Sequence, residues 1–283
     1  MPPAASPTLR QRELAARLRE LRVRSGMSVA DVAQRLLISP AKLSRLETGA
    51  RPPQLRDVRD LCTLYEVPST VVTELMTLAR QAREPGWWQR YDVIAETNTF
   101  VGLEASAVSA YSFESSVIPG LLQTEGYAAT VVKTLAPMFP GVTAQPVVDL
   151  RRERQERLLV EGGPELWFIV DEAALRRQIG GRAVMKEQLT SLLAATEIPN
   201  VTLQVLPFDT GVHAALQSNF GLLELPDGMG DIVYVEGLIG FHFLERPEEV
   251  KRYRKAFDQL RAAADGPERT RDRLQQFIHD NYS

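Results

Sequence analysis

An α+β fold is predicted for the 283 residues. An all-α bundle of five helices occupies residues 1–84, and a mixed α/β domain with a small sheet occupies 85–283. Three observations lead there. Apolar residues recur at three- and four-residue spacing through residues 9–82, with glycine or proline at the breaks. Strand-like runs rich in aromatic and β-branched residues start at residue 165. The charge also changes sign: residues 1–86 hold 14 Lys/Arg against 9 Asp/Glu, net +5, and residues 87–283 hold 19 against 27, net −8, giving the overall −3.

The bundle is read element by element. "LRQRELAARLRELRVR" (9–24) places Leu14, Leu18 and Leu21 on one face and arginines on the other, an amphipathic helix that Gly26 ends. Ser28 is the N-cap expected of a second helix, with Val32, Ala33 and Leu36 inward. Ser39 caps a third, whose first position, Pro40, loses no needed hydrogen bond. In that short helix Leu43 and Leu46 face inward, and Gly49 followed by "ARPP" stops it. "LRDVRDLCTLYEV" and "PSTVVTELMTLARQA" supply the last two helices.

Composition narrows the class. Hydrophobic residues at 44% and charged residues at 24% are ordinary for a protein with a packed core, and the length suits two domains. No apolar run approaches the ~20 residues that span a bilayer. "MPPAASPTLRQRE" lacks the apolar segment of a secretion signal. The single cysteine, Cys62, excludes an intrachain disulfide and a multi-cysteine metal site, and reads as a small core residue. A cytoplasmic location without membrane contact is expected. Within the basic part, residues 1–56 carry 11 basic and 4 acidic side chains. That imbalance suits a polyanion-binding module or a solvated basic face.

"GMSVADVAQRLLISPAKLSRLETGARPP" (26–53) resembles the helix-turn-helix of the phage-repressor (Cro/C1, or XRE) family, whose five-helix domain is lambda-repressor-like. The resemblance implies that the third helix, about 39–48, enters the major groove of double-stranded DNA. Ser39 and Pro40 open that helix. Ala41, Ser44 and Arg45 align with base-contacting positions, and Arg45 can pair bidentately with a guanine edge. Ser28, Lys42, Thr48 and Arg51 suit phosphates. Glu47 would be repelled by DNA, and the family pairs that position with an arginine matched here by Arg22. Two departures stand out: Val29 replaces a frequent glutamine, and Leu37 replaces a frequent glycine, implying strained or altered turn geometry.

Beyond the bundle, "QAREPGWWQRYDV" breaks the pattern near Pro85. Trp87 and Trp88 either bury a connecting segment or stack on a ligand. Residues 98–113 read as a helix through Phe100, Leu103, Ala107 and Tyr111, and another helix starts at about Leu121. "QPVVDLRRERQERLLVEGG" is a helix whose Arg151, Arg152, Arg154 and Arg157 form a solvated, ion-paired face, or an anion or second DNA contact. Strands are expected at 165–170, 201–207, 220–226 and 231–236, a sheet of three or four. Two closing helices follow, the first with Val250, Tyr253, Phe257 and Leu260 as its apolar stripe.

"IPGLLQTEGYA", "RRERQERL", "DEAALRRQIGG" and "SNFGLLEL", in this order, resemble a group of actinomycete regulators of the WhiJ type. These join a repressor-type helix-turn-helix to such a C-terminal domain. The resemblance implies a transcriptional regulator whose C-terminal domain is antitoxin-like and receives a small protein encoded alongside it. Homodimerisation is expected, because one recognition helix covers only half of a two-fold site. A second reading is an antitoxin-like protein-interaction module that mainly autoregulates its own operon, and a third is a small-molecule sensor with an aromatic ligand-binding pocket of Trp87, Trp88, Tyr111, Trp167 and Tyr234.

Enzymatic signatures are missing from the sequence. It contains no G-x-S-x-G, no G-x-x-x-x-G-K-[ST] and no G-x-G-x-x-G, and His213, His242 and His279 form no H-x-x-x-H pair. Asp171, Glu172 and Glu236, near strand ends, read as caps or ion-pair partners. No enzyme activity, cofactor or metal is expected.

Overall fold

A computed structural model describes residues 6–138, 143–226, 229–237 and 240–282. They form two compact units, and the chain passes from one to the other between Gln89 and Arg90, five residues beyond the expected boundary. Each unit is described by itself.

The first unit contains α1 (Pro7–Arg24), α2 (Val29–Arg35), α3 (Pro40–Glu47), α4 (Leu55–Leu64) and α5 (Ser69–Gln81). Three serines start three of them. Ser6 Oγ accepts from Leu9 N–H, Ser28 Oγ from Asp31 N–H and Ser39 Oγ from Lys42 N–H. At Ser28 the cap is reciprocal, because Asp31 also accepts from the Ser28 backbone. The core gathers Leu14, Leu18, Val32, Leu43, Leu61 and Leu75, all at most 1% exposed. Each such side chain contributes about 1.5–3 kcal/mol by leaving water. Cys62 lies among them, and burial pushes its thiol pKa up.

Helices α1 to α4 end alike. The N–H groups of Met27, Ile38, Ala50 and Val67 donate to the carbonyls of Arg22, Ala33, Arg45 and Cys62, five residues back. Each closure needs one left-handed residue. Glycine fills that place after α1 and α3, but Leu37 (φ 52°) and Glu66 (φ 54°) fill it after α2 and α4. The strained turn expected at Leu37 is therefore present.

The second unit is built on a six-stranded sheet in the order β3-β2-β1-β4-β5-β6. The strands are β1 (Ser109–Glu114), β2 (Glu165–Asp171), β3 (Val201–Leu206), β4 (Phe220–Glu224), β5 (Ile232–Gly237) and β6 (Gly240–Leu244). The helices are α6 (Ala95–Glu104), α7 (Glu125–Leu135), α8 (Ala144–Leu158), α9 (Glu172–Arg176), α10 (Gly181–Ala195), α11 (Pro247–Ala263) and α12 (Pro267–Tyr282). β1 runs parallel to β2 and antiparallel to β4, with Ser109 opposite both Glu165 and Glu224.

Alternation sends successive side chains to opposite faces. On one face Leu166, Phe168, Val170 and Leu203 pack with Tyr127 of α7, Met185 of α10 and Leu274 of α12. On the other, Phe113, Ile169, Leu222 and Val233 pack with Val250, Phe257 and Leu260 of α11, so the stripe expected there is core. Gly221 of β4 stands opposite Tyr234 of β5. A Cβ there would fall 2.1–2.3 Å from the tyrosine ring, so only glycine lets that ring lie across the strand.

Two expectations are corrected. The helix read over 98–113 stops at Glu104, and Ser109–Glu114 is a strand. Phe100, Leu103, Ala107 and Tyr111 do fall at helical spacing, but pairing to β2 and β4 overrides that local pattern. The sheet has six strands rather than three or four, the additions being β1 and the edge strand β6.

Candidate functional site

Helices α2 and α3 are joined by a four-residue connection, Leu36 to Ser39, and α3 presents two unlike sides. Leu43, Leu46 and Glu47 are buried, while Ser39, Pro40, Ala41, Ser44, Arg45 and Thr48 are exposed. Leu37, at the tip of the connection, is 93% exposed.

Helix α1 holds α3 in place at its C-terminal end. Arg22 donates from Nε and Nη2 to the two Glu47 carboxylate oxygens at 2.7 and 2.9 Å. Its Nη1 donates to the Met27 carbonyl at 3.0 Å, fixing the α1–α2 turn with the same guanidinium. The hydrogen bond to Glu47 holds the Arg22 pKa above its ordinary value, against the opposing effect of burial. Gln11 of α1 donates to the Gly49 carbonyl at 2.6 Å, just past the end of α3.

The nine residues expected at DNA differ in availability. Ala41, Ser44, Arg45 and Arg51 are exposed, and the Arg45 and Arg51 side chains have no polar partner among the described residues. Pro40 occupies the first turn of α3. The Ser28 and Ser39 hydroxyls serve as caps, and Thr48 Oγ1 donates to the Ser44 carbonyl at 2.9 Å. Lys42 is tied instead to Asp57 of α4, with Nζ 2.7 Å from the carboxylate. A phosphate contact by Lys42 would have to break that pair. Arg35, exposed in the last turn of α2 just before the connection, adds a cation that the motif alone did not single out.

Of the five aromatic residues expected to share a pocket, Trp87 and Trp88 belong to the first unit, and the three of the second unit do not share one face of the sheet. Trp87 and Trp88 contact each other edge-on, their rings 5.7 Å apart, and Trp88 is buried against Gly86. Tyr111 and Trp167 lie on the α11 face of the sheet, against Phe257 and Arg261. Tyr234 points to the opposite face, because strand alternation separates it from both.

On that opposite face is a cavity of about 350 Å³. Its apolar wall includes Phe100, Ile118, Val132, Leu150 and Phe241, and its polar groups include Glu114, Glu236, Arg151, Ser112 and Tyr234. Glu104 and Arg154 form a bidentate pair at its edge, both bonds 2.7 Å. The arginine-rich face of α8 is thus divided. Arg152 and Arg157 are exposed beside Asp149 and Glu153, whereas Arg154 is buried and Arg151 lines the cavity. Burial lowers the Arg151 pKa to about 10 and, with the neighbouring Glu236, raises that of Glu114 to about 8.

The carboxylates noted at strand ends have separate tasks. Asp171 caps α9 by accepting from Ala173 N–H, and Glu172 accepts from Phe208 N–H while pairing with Arg176. Among the described residues no His, Cys, Asp or Glu group could hold a metal ion, and no helix is long and apolar enough to cross a membrane.

No curated protein and no solved structure matches the chain. A helix-turn-helix domain family matches residues 13–75, which span α1 to the middle of α5. A family described as a domain of unknown function, DUF5753, matches residues 97–276, nearly the whole second unit. That match covers well over half of the 283 residues, so the chain belongs to the DUF5753 family and carries a helix-turn-helix domain ahead of it.

Proposed function

We propose that the chain is a cytoplasmic, sequence-specific transcriptional regulator that places α3 in the major groove of double-stranded DNA. The observation that carries this reading is the two-sided α3. Its inner side is fixed by Leu43, Leu46 and the Arg22–Glu47 pair, and its outer side offers Ala41, Ser44 and an uncommitted Arg45. Arg45 reads a base edge, and Ala41 and Ser44 lie close enough to shape the choice of sequence. Arg51, with Ser28 and Thr48, holds phosphates on either side. Lys42 joins them only by leaving Asp57.

The protein acts as a homodimer on a pseudo-palindrome, since one α3 reads half a site. The second unit acts without catalysis, as the part that sets DNA affinity. Its resemblance to the WhiJ-type regulators of actinomycetes favours a small protein encoded alongside as the partner that engages it. Selection of binding sequences from a random duplex pool tests the reading. Enrichment of a two-fold symmetric site is expected, and a pool that stays random would overturn it.

A further inference from the structure

The cavity of the second unit holds more acidic than basic groups. Glu104 and Arg154 neutralise each other through two hydrogen bonds. That leaves two carboxylates, Glu114 of β1 and Glu236 of β5, facing one guanidinium, Arg151 of α8. Neither carboxylate has a hydrogen bond or ion pair among the described residues. Arg151 donates from Nη1 to Gln123 Oε1, while its buried Nε has no partner among the described residues. Glu114 is half-buried and Glu236 exposed, and two neighbouring carboxyl groups ionise together more readily when a cation joins them.

A second, independent observation points to an occupant. Ser112 shares with Glu114 the strand face that lines the cavity, is 4% exposed, and its hydroxyl has no hydrogen-bond partner among the described residues. Buried polar groups are satisfied in the great majority of proteins, and one left open at a cavity wall is what a ligand or water completes. Much of the remaining lining is apolar, including Phe100, Ile118, Val132, Leu150 and Phe241, with Thr97, Gln123 and Asn219 among its polar members. A volume of about 350 Å³ falls within the range of small-molecule sites, roughly 300–1,000 Å³.

We propose that this cavity binds a small organic cation, an amine whose ammonium lies between Glu114 and Glu236 and whose apolar body lies against Phe100, Val132 and Phe241. Without the ammonium Glu114 keeps its proton up to about 8, so amine binding near neutral pH releases that proton. An anion would gain Arg151 but would face both glutamates, and a neutral molecule would leave them unanswered. The site does not rest on the DNA reading, and its test uses no DNA.

Calorimetric titration of the full chain near neutral pH decides it. The probes are benzylamine, phenethylamine and cyclohexylamine, each beside its matched alcohol and carboxylate. At least one amine binds about tenfold or more tightly than its alcohol, as a charged hydrogen bond requires, and its carboxylate binds more weakly still. In Glu114→Gln/Glu236→Gln, and more mildly in Glu236→Gln, the preference for the amine shrinks toward that of the alcohol. Val132→Trp, folded by circular dichroism, binds none of the probes. Carboxylates binding more tightly than amines, an amine preference that survives the double substitution, or no binding by any amine would each overturn the proposal.

Discussion

Arg22 and Glu47 lie 25 residues apart and meet as a bidentate pair, with side chains only 13% and 5% exposed. The pair joins the helix that supports the bundle to the helix that faces outward. Removing one member leaves a buried charge without its partner, so Arg22→Ala should cost about 3–5 kcal/mol. Arg22→Met with Glu47→Leu should recover most of that loss, because an apolar pair of similar volume needs no desolvation. Urea unfolding of the three proteins checks this, and additive losses in the double variant would contradict it.

Leu37 and Glu66 occupy left-handed positions that favour glycine. A left-handed L-residue costs roughly 1–2 kcal/mol, and glycine returns part of that gain as extra freedom of the unfolded chain. Leu37→Gly should therefore stabilise the protein by about 0.5–1 kcal/mol, and Glu66→Gly similarly. Leu37 is 93% exposed, so no packing is lost. Thermal unfolding reads the shift, and a lower midpoint for both variants would refute the strain.

Glu114 should make stability depend on pH. Glu236 and Tyr234 of β5 and Tyr127 of α7 surround it electrostatically, and burial dominates its raised pKa. Between its ordinary 4.5 and about 8, the folded protein keeps a proton that the unfolded chain has released. Stability from this group is thus fully present below that window and is lost as pH rises through it. Glu114→Gln should flatten the decline, with its benefit growing toward pH ~8. Melting midpoints of both proteins across the window provide the check.

The bundle was legible because its signals are local. Ser28 and Ser39 as caps, Gly26 and Gly49 as stops, and the leucine spacing all act within a few residues. The Arg22–Glu47 pair is long-range, yet the family resemblance pointed to it. β1 was hidden because its strand state comes from partners far along the chain, β2 and β4. The cavity was hidden for a related reason. Glu114 lay outside every expected strand and Glu236 read as a cap or ion-pair partner, and only the sheet order brings them near Arg151 of α8. Aromatic residue type alone could not say which sheet face Tyr111, Trp167 and Tyr234 would take. Lys42 looked like any exposed cation of a recognition helix, and its pairing with Asp57 depends on how α3 packs on α4.

Arg45 carries the central claim, since it is the exposed guanidinium of α3 with no partner of its own among the described residues. The most direct test compares affinities of the full chain, Arg45→Ala and Arg51→Ala for the selected site and for random duplex over a salt series. Arg45→Ala should lose about 1–3 kcal/mol of discrimination at one base pair of each half-site. Arg51→Ala should weaken both duplexes alike and lower the salt slope by about one. Equal weakening of both duplexes by Arg45→Ala, with specificity intact, would contradict base reading by α3.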